Sequence, residues 1–378
     1  MRDIRMVDLQ LQYQKIKPEI DKEIQNVLES TAFINGPAVQ RFQADLESYL
    51  GVKHVIPCGN GTDALQVALM ALGLQRGDEV ITSTFTFIAS AEVIALLGLC
   101  PVLVDIDPNS FNLDVQAVEK AVTPRTKAII PVHLFGQCAD MEPLMALAKK
   151  RHLFIVEDAC QAIGSTYRFS DGRVCKAGTM GDFGCTSFFP SKNLGCYGDG
   201  GALFTNSDEL AQKARGIVNH GMFVRYYHEM VGVNSRLDSI QAAILDVKLR
   251  HLDEYAEARR KAAAYYTKAF SPCEGLQCPH TAPNTEHVFH QYTLLLKTAN
   301  REKVIAYMNE RKVPVMIYYP VPLHEQKAYK DERYRKGDFP VSEQVCRQCI
   351  SLPMHTELDE EQLEHITRNL LEAVKLYQ

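Results

Sequence analysis

The chain has 378 residues, 46% of them hydrophobic and 23% charged, which is longer than one core usually serves and too apolar for a disordered chain. A formal net charge of -5, spread along the sequence, gives no electrostatic footprint for nucleic acid. The N-terminus lacks the apolar core of a signal peptide, no stretch approaches a membrane span, and the eleven cysteines lie mostly inside apolar runs, so the expectation is a cytoplasmic protein with neither a disulfide framework nor a membrane partner.

Seven short apolar runs read as strands, at 52–58, 79–84, 101–107, 127–133, 153–159, 185–189 and 201–206. Helical patterns stand between the first five (DALQVALMALGL, SAEVIALLG, LDVQAVEKAV, MEPLMALAKKR), as the crossovers of a parallel sheet do. The expected class is α/β, with a seven-stranded, mostly parallel sheet wrapped by helices; near-continuous runs such as KAIIPV fit burial on both faces. Beyond GVNSRLDSIQ an amphipathic pattern runs without proline to Pro272 and reads as one long helix over about 238–270. It would join a large domain (1–250, N-terminal segment included) to a smaller α+β domain (251–378). The smaller domain is expected to hold strands at 291–297 and 314–319 and helices at 301–312 and 359–376. The one C-x-x-C, Cys346 to Cys349, has no second pair and lies in a helical-looking segment, so no metal site is expected.

Three polar clusters interrupt these elements. Cys58-Gly59-Asn60-Gly61-Thr62-Asp63 turns from the first strand onto a helix N-terminus, where free amides and the helix dipole suit a phosphate; a turn capped by Thr62 or Asp63 alone is the other reading. It has neither G-x-G-x-x-G nor a Walker lysine, which removes the dinucleotide and P-loop readings. In VEDACQAIGS, Asp158 ends a strand and Gln161 follows, where ligand-facing residues of open sheets lie, although a solvated loop pair would read the same way. Lys192 sits in SFFPSKNLGCYGDGGALFTN between Phe188, Phe189, Pro190 and Leu194; desolvation there would lower its pKa and free its lone pair for attack on a carbonyl. A phosphate cradle, an acid and a desolvated lysine are together what pyridoxal phosphate (PLP) requires.

NGTDAL (60–65), GDEVIT (77–82), VEDACQAIG (156–164), SFFPSKNLGCYGDGGALFTN (187–206) and VGVNSRLDSIQAAIL (231–245) resemble the DegT/StrS family of PLP-dependent sugar aminotransferases, nearly end to end. The resemblance implies the aspartate aminotransferase-like fold, type I of the PLP enzymes, and a homodimer with active sites at the subunit interface. It makes Lys192 the Schiff-base lysine, Asp158 the partner of the pyridine nitrogen, Gln161 a neighbour of the ring and its 3-oxygen, and Gly61, Thr62 and Ser187 phosphate ligands. Phe87 becomes the aromatic stacked on the ring. Asn234 and Arg236 reach the partner's site, Asn234 toward phosphate and Arg236 toward substrate. Dehydrating relatives carry histidine where this chain has Lys192, so the resemblance implies amination, with L-glutamate as donor and pyridoxamine phosphate (PMP) formed in a ping-pong cycle.

The wording is closest to the branch that aminates UDP-2-acetamido-2-deoxy-3-oxo-glucuronate for surface polysaccharide. That branch has His-Tyr-Pro where this chain has Tyr318-Tyr319-Pro320, which makes Tyr318 and Tyr319 candidate substrate contacts or, equally, strand residues packing between domains. A dTDP-3-keto-6-deoxyhexose or a 4-keto nucleotide sugar is the alternative substrate, and a non-catalytic PLP-binding regulator the alternative role. Asp199 receives no catalytic role.

Overall fold

The computed structural model describes residues 1–378. Two helices, α1 (Leu9–Ser30) and α2 (Pro37–Leu50), precede β1 (His54–Cys58), β2 (Glu79–Ser83), β3 (Cys100–Val104), β4 (Thr126–Ile130), β5 (Phe154–Asp158), β6 (Phe183–Ser187) and β7 (Gly201–Thr205). All seven strands form one sheet in the spatial order β1, β7, β6, β5, β4, β2, β3. Pairing is parallel from β3 through to β6, while β7 runs antiparallel to both β6 and β1. The parallel steps need crossovers, supplied by α3 (Gly61–Ala71), α4 (Ala89–Leu96), α5 (Val115–Ala121) and α6 (Met141–Arg151). On one face Ala64, Leu65 and Ala68 of α3 pack on Val80, Val156 and Phe183. On the other, Leu144 and Ala148 of α6 cover Ile81, Ile129 and Ile155. Burial on both faces is why these strands lack polar alternation.

After β7 come α7 (Asp208–Ile217), α8 (Ser239–Leu249) and α9 (Leu252–Phe270). The single long helix expected over 238–270 is therefore two helices. Arg250 and His251 form a turn between them, with the His251 amide donating to the Lys248 carbonyl at 3.1 Å. Leu249 and Leu252 both enter the core against α2, which needs a change of direction, whereas Ala262, Tyr266 and Phe270 pack in the C-terminal core. The charges record the break: Lys248 lies in the last turn of α8, and Asp253 and Glu254 in the first turn of α9, each of the sign suited to its helix end.

The C-terminal core gathers Ile4, α9, a three-stranded antiparallel sheet of β8 (Leu276–Gln277), β9 (Tyr292–Leu296) and β10 (Cys349–Leu352), and the helices α10 (Arg301–Glu310) and α12 (Glu360–Leu376), with α11 (Pro340–Gln348) leading into β10. The strand expected at 314–319 does not form. Met316 alone bridges Ser351, and the chain then leaves the sheet so that Tyr318 and Tyr319 pack beside Phe85 and Phe135. Cys349, read as helical, instead opens β10, one residue past the end of α11. No helix is long and apolar enough to cross a membrane.

Candidate active site

The polar clusters meet along the carboxyl edge of the sheet. After β1, Asn60 caps α3, its side-chain oxygen accepting from the Asp63 amide at 2.8 Å. The Ala64 amide returns to the Asn60 carbonyl, and the amides of Gly61 and Thr62 have no acceptor in the chain. A Cβ on Gly61 would lie 2.7 Å from Cβ of Ser187 and 2.8 Å from Sγ of Cys160, so the ends of β1, β5 and β6 converge on this glycine. At Gly201, where β7 starts, a Cβ would come 2.4 Å from the Asn60 carbonyl. The result is a cleft floored by backbone, with two amides and the positive end of an eleven-residue helix directed into it.

Asp158, buried at the end of β5, accepts from Ser90 Oγ at 2.8 Å and from the Cys160 amide at 3.2 Å. Gln161 is equally buried; its oxygen accepts from the Phe135 amide at 2.7 Å and its amide nitrogen donates to the Tyr319 hydroxyl at 3.0 Å. Tyr319 packs edge-on to Phe85 and stands 6.3 Å, centroid to centroid, from Phe87. Burial raises the Tyr319 hydroxyl pKa far above the ordinary phenol value and keeps it a neutral group. Phe87 leaves 54% of its surface exposed although Phe85 beside it is buried, so its ring is free to cover a ligand.

Lys192 follows β6 in a loop anchored by buried Phe188 and Leu194; its own amide donates to the Phe189 carbonyl at 2.8 Å. Its ammonium makes no hydrogen bond and no ion pair. Burial pushes its pKa below the ordinary lysine value, against the opposing pull of Cys160 and Asp158. Asp158 and Lys192 thus act on each other electrostatically across one site. His290 belongs to the same group: burial first, then the positive charges of Lys192 and Arg259, hold it neutral, and its Nδ1 has no partner.

Asn234 and Arg236 lie apart from this group. Asn234 is exposed and bridges Asn219, Arg236 is half-buried, and neither side chain makes a hydrogen bond. Ser235 between them accepts from the Gly59 amide at 2.8 Å and donates to Asp63 at 2.6 Å, which fixes their loop to the outer rim of the α3 N-terminus. Tyr318 is half-buried with its hydroxyl unpartnered, and Asp199 is exposed.

Residues 14–371 match the DegT/DnrJ/EryC1/StrS aminotransferase family. The chain belongs to this family. It is 49% identical to the UDP-2-acetamido-2-deoxy-3-oxo-D-glucuronate aminotransferase of Pseudomonas aeruginosa over 356 residues, 94% of this chain and 96% of the relative. It is 47% identical to a pleiotropic regulatory protein of Geobacillus stearothermophilus over 372 residues, 98% of each chain. The crystal structure of S. venezuelae DesV in complex with a ketimine intermediate superposes with a TM-score of 0.95 at 38% identity, covering 99% of both chains. This chain is a PLP-dependent sugar aminotransferase, and its cofactor is pyridoxal 5'-phosphate in exchange with its pyridoxamine form.

The site of this aminotransferase fits that group. The cradle at Gly61 and Thr62 holds unpaired donors for a phosphate, and across it stand an unpartnered amine and a buried carboxylate. Sequence reading brought together Gly61, Ser187, Asp158, Gln161 and Lys192. It missed Ser90 and His290, because a serine in the first turn of a helix reads as a cap and a histidine between Phe289 and Gln291, just ahead of a strand, reads as packing. Cys160 carried a signal in its place two residues after Asp158, but a small thiol there is ordinarily a core residue.

Proposed function

We propose that this aminotransferase moves the amino group of L-glutamate to the 3-keto carbon of UDP-2-acetamido-2-deoxy-3-oxo-glucuronate, as a homodimer in the cytoplasm, for surface polysaccharide. The observation that carries the substrate is the 49% identity over nearly the whole of the P. aeruginosa enzyme named for it. When bound, the cofactor supplies an aldehyde that holds the amino group and a ring that takes up electrons from the carbon losing its proton.

The positions of the chain's residues support the following roles. Gly61 and Thr62 donate their amides, and Ser187 its hydroxyl, to the phosphate at the positive end of α3. Asp158, fixed by Ser90 and the Cys160 amide, would keep a proton on the pyridine nitrogen. Gln161, held by Phe135 and Tyr319, would stand beside the ring, and Phe87 would cover it. Lys192, its charge suppressed by burial, would hold the cofactor through its amine, and when free of it that amine would move the proton from the donor's α-carbon. His290, held neutral beside it, does not compete for that proton. Asn234 and Arg236, exposed or half-buried on the rim and without partners of their own, serve the partner subunit's site.

A second reading is favoured by Tyr318. A neutral phenol can donate to a uronic carboxylate but cannot offer the charge of the histidine expected there, which suits a neutral 3-keto sugar on a dTDP carrier; a relative from Streptomyces venezuelae, 40% identical, is named for such a transaminase. Both are tested by mass spectrometry of the products from 3-keto and 4-keto nucleotide sugars supplied with L-glutamate. Amination of the 3-keto uronate is expected, and amination of 4-keto sugars alone would overturn the substrate. The regulator reading, suggested by the name of the Geobacillus relative, predicts no product from any of these sugars.

A further inference from the structure

Lys248 is among the largest side chains that are fully buried, with 1% of its surface exposed, and no carboxylate faces it. The groups around it are the Tyr197 ring, with its centroid 5.3 Å from Nζ, the Cys196 thiol and the Arg259 guanidinium. Its hydrogen bond runs from Nζ to the Gly195 carbonyl at 2.5 Å. Burying an ammonium against a neutral carbonyl costs several kcal/mol by comparison with leaving it in water. Burial indeed pushes its pKa down to about 8, with Arg259 adding to the effect. Gly195 lies three residues beyond Lys192. Gln241, two turns earlier on the same face of α8, accepts from the Tyr197 amide at 2.8 Å and lies 3.2 Å from where a Cβ of Gly198 would stand.

We propose that Lys248 and Gln241 are positioning residues, a two-point clamp by which α8 fixes the loop of Lys192. Within the loop, the Lys192 amide reaches Phe189 and the Cys196 amide reaches Phe188, both short-range bonds. Asn193 holds the other flank through Val288 at 3.1 Å. The stretch from Gly195 to Tyr197 is tied to a rigid element through Lys248 and Gln241. In transamination Lys192 must leave the cofactor and return to the same place on each cycle, so the backbone beneath it has to stay put while the side chain swings.

The inference rests on the assignment of Lys192, and the two can fail separately: a Lys192→Ala protein that kept the visible cofactor band would sink that assignment before the clamp was tested. In the loaded enzyme, Lys248→Met is expected to lower kcat on the order of 10- to 100-fold with KM for the sugar within about twofold. It should also move the pH midpoint of the visible band upward, and without cofactor it should speed hydrogen exchange at the Gly195–Tyr197 amides. Lys248→Arg, which keeps donors and charge, is expected to recover part of kcat. A folded Lys248→Met enzyme with wild-type kcat per bound cofactor and an unmoved midpoint overturns the proposal. If that variant does not fold, Gln241→Leu decides: a smaller fall in kcat with faster exchange at Tyr197 supports the clamp, and unchanged kcat refutes it.

Discussion

Replacing Gly61 with alanine asks whether the cradle of amides needs a residue without a side chain. The new Cβ would meet Ser187 Cβ at 2.7 Å and Cys160 Sγ at 2.8 Å, whereas ordinary contact begins near 3.4 Å, so the start of α3 and the end of β6 must part by about 0.7 Å. Overpacking of this kind costs about 1–3 kcal/mol, offset by up to about 1 kcal/mol from the better helix propensity of alanine. The net loss of stability should therefore be small, about 0–2 kcal/mol. Binding should suffer more, because a bond from an amide to an ionised phosphate is worth about 1.5–3 kcal/mol and depends on the position of its donor. Losing one such bond weakens PLP binding on the order of 10- to 100-fold. Titrating cofactor-free protein with PLP and following the visible band gives the dissociation constant, and thermal unfolding of the same sample gives the stability. A Gly61→Ala protein that binds PLP within about twofold of wild type refutes the cradle as the phosphate site.

In cofactor-free protein, Lys192→Met should raise the melting temperature at pH 7. The native pKa of Lys192 lies below its unfolded value, so the unfolded chain binds more protons between the two, and wild-type stability climbs with pH across that window. The variant should lose this climb, and a lower melting temperature at pH 7 would contradict it. Ser90→Ala removes the bond to Asp158 and should reduce the L-glutamate half-reaction on the order of 10-fold in rapid-mixing absorbance traces, with no change in the mass of the assembly. Mixing Lys192→Ala with Arg236→Ala subunits, each inactive alone, should restore about a quarter of wild-type activity if sites are shared in a dimer, and none if each chain is self-sufficient. Tyr318→His should raise kcat/KM for the 3-keto uronate as pH falls through about 6.5, where the imidazole gains its charge, and a flat pH profile of that gain would count against a carboxylate at this position.

The large sheet was legible because its strands are buried on both faces and carry their own signal, from the HVIPC of β1 to the GALFT of β7. Its order was not, since β1 and β7 pair across nearly 150 residues and no local pattern records that contact. The turn at Arg250–His251 hid inside a continuous amphipathic pattern and was marked only by charge. Likewise PVMIYY has the composition of a strand, but the cluster of Phe85 and Phe135 and the hydrogen bond to Gln161 claim its tyrosines. Lys192, Asp158 and Gln161 were readable because their residue types are unusual where they stand. Ser90, His290 and Lys248 were not, because the groups around them (Asp158 for Ser90, Lys192 and Arg259 for His290, Gly195 for Lys248) come from distant parts of the chain.

The antiparallel placement of β7 also bears on when the site comes into being. β1 stands at the edge of the sheet and β7 is its one neighbour, with His54 opposite Thr205. During synthesis β1 and the Gly61 turn emerge early and wait, unpaired, until the chain has passed residue 205; closing so long a loop is slow, and an exposed edge invites wrong partners in the interval. The Gly61 turn after β1 and the Lys192 loop between β6 and β7, the two attachments proposed for the cofactor, are brought together by that same final pairing. On that reading PLP acts after the pairing, binding a sheet that has already closed and holding it closed by mass action.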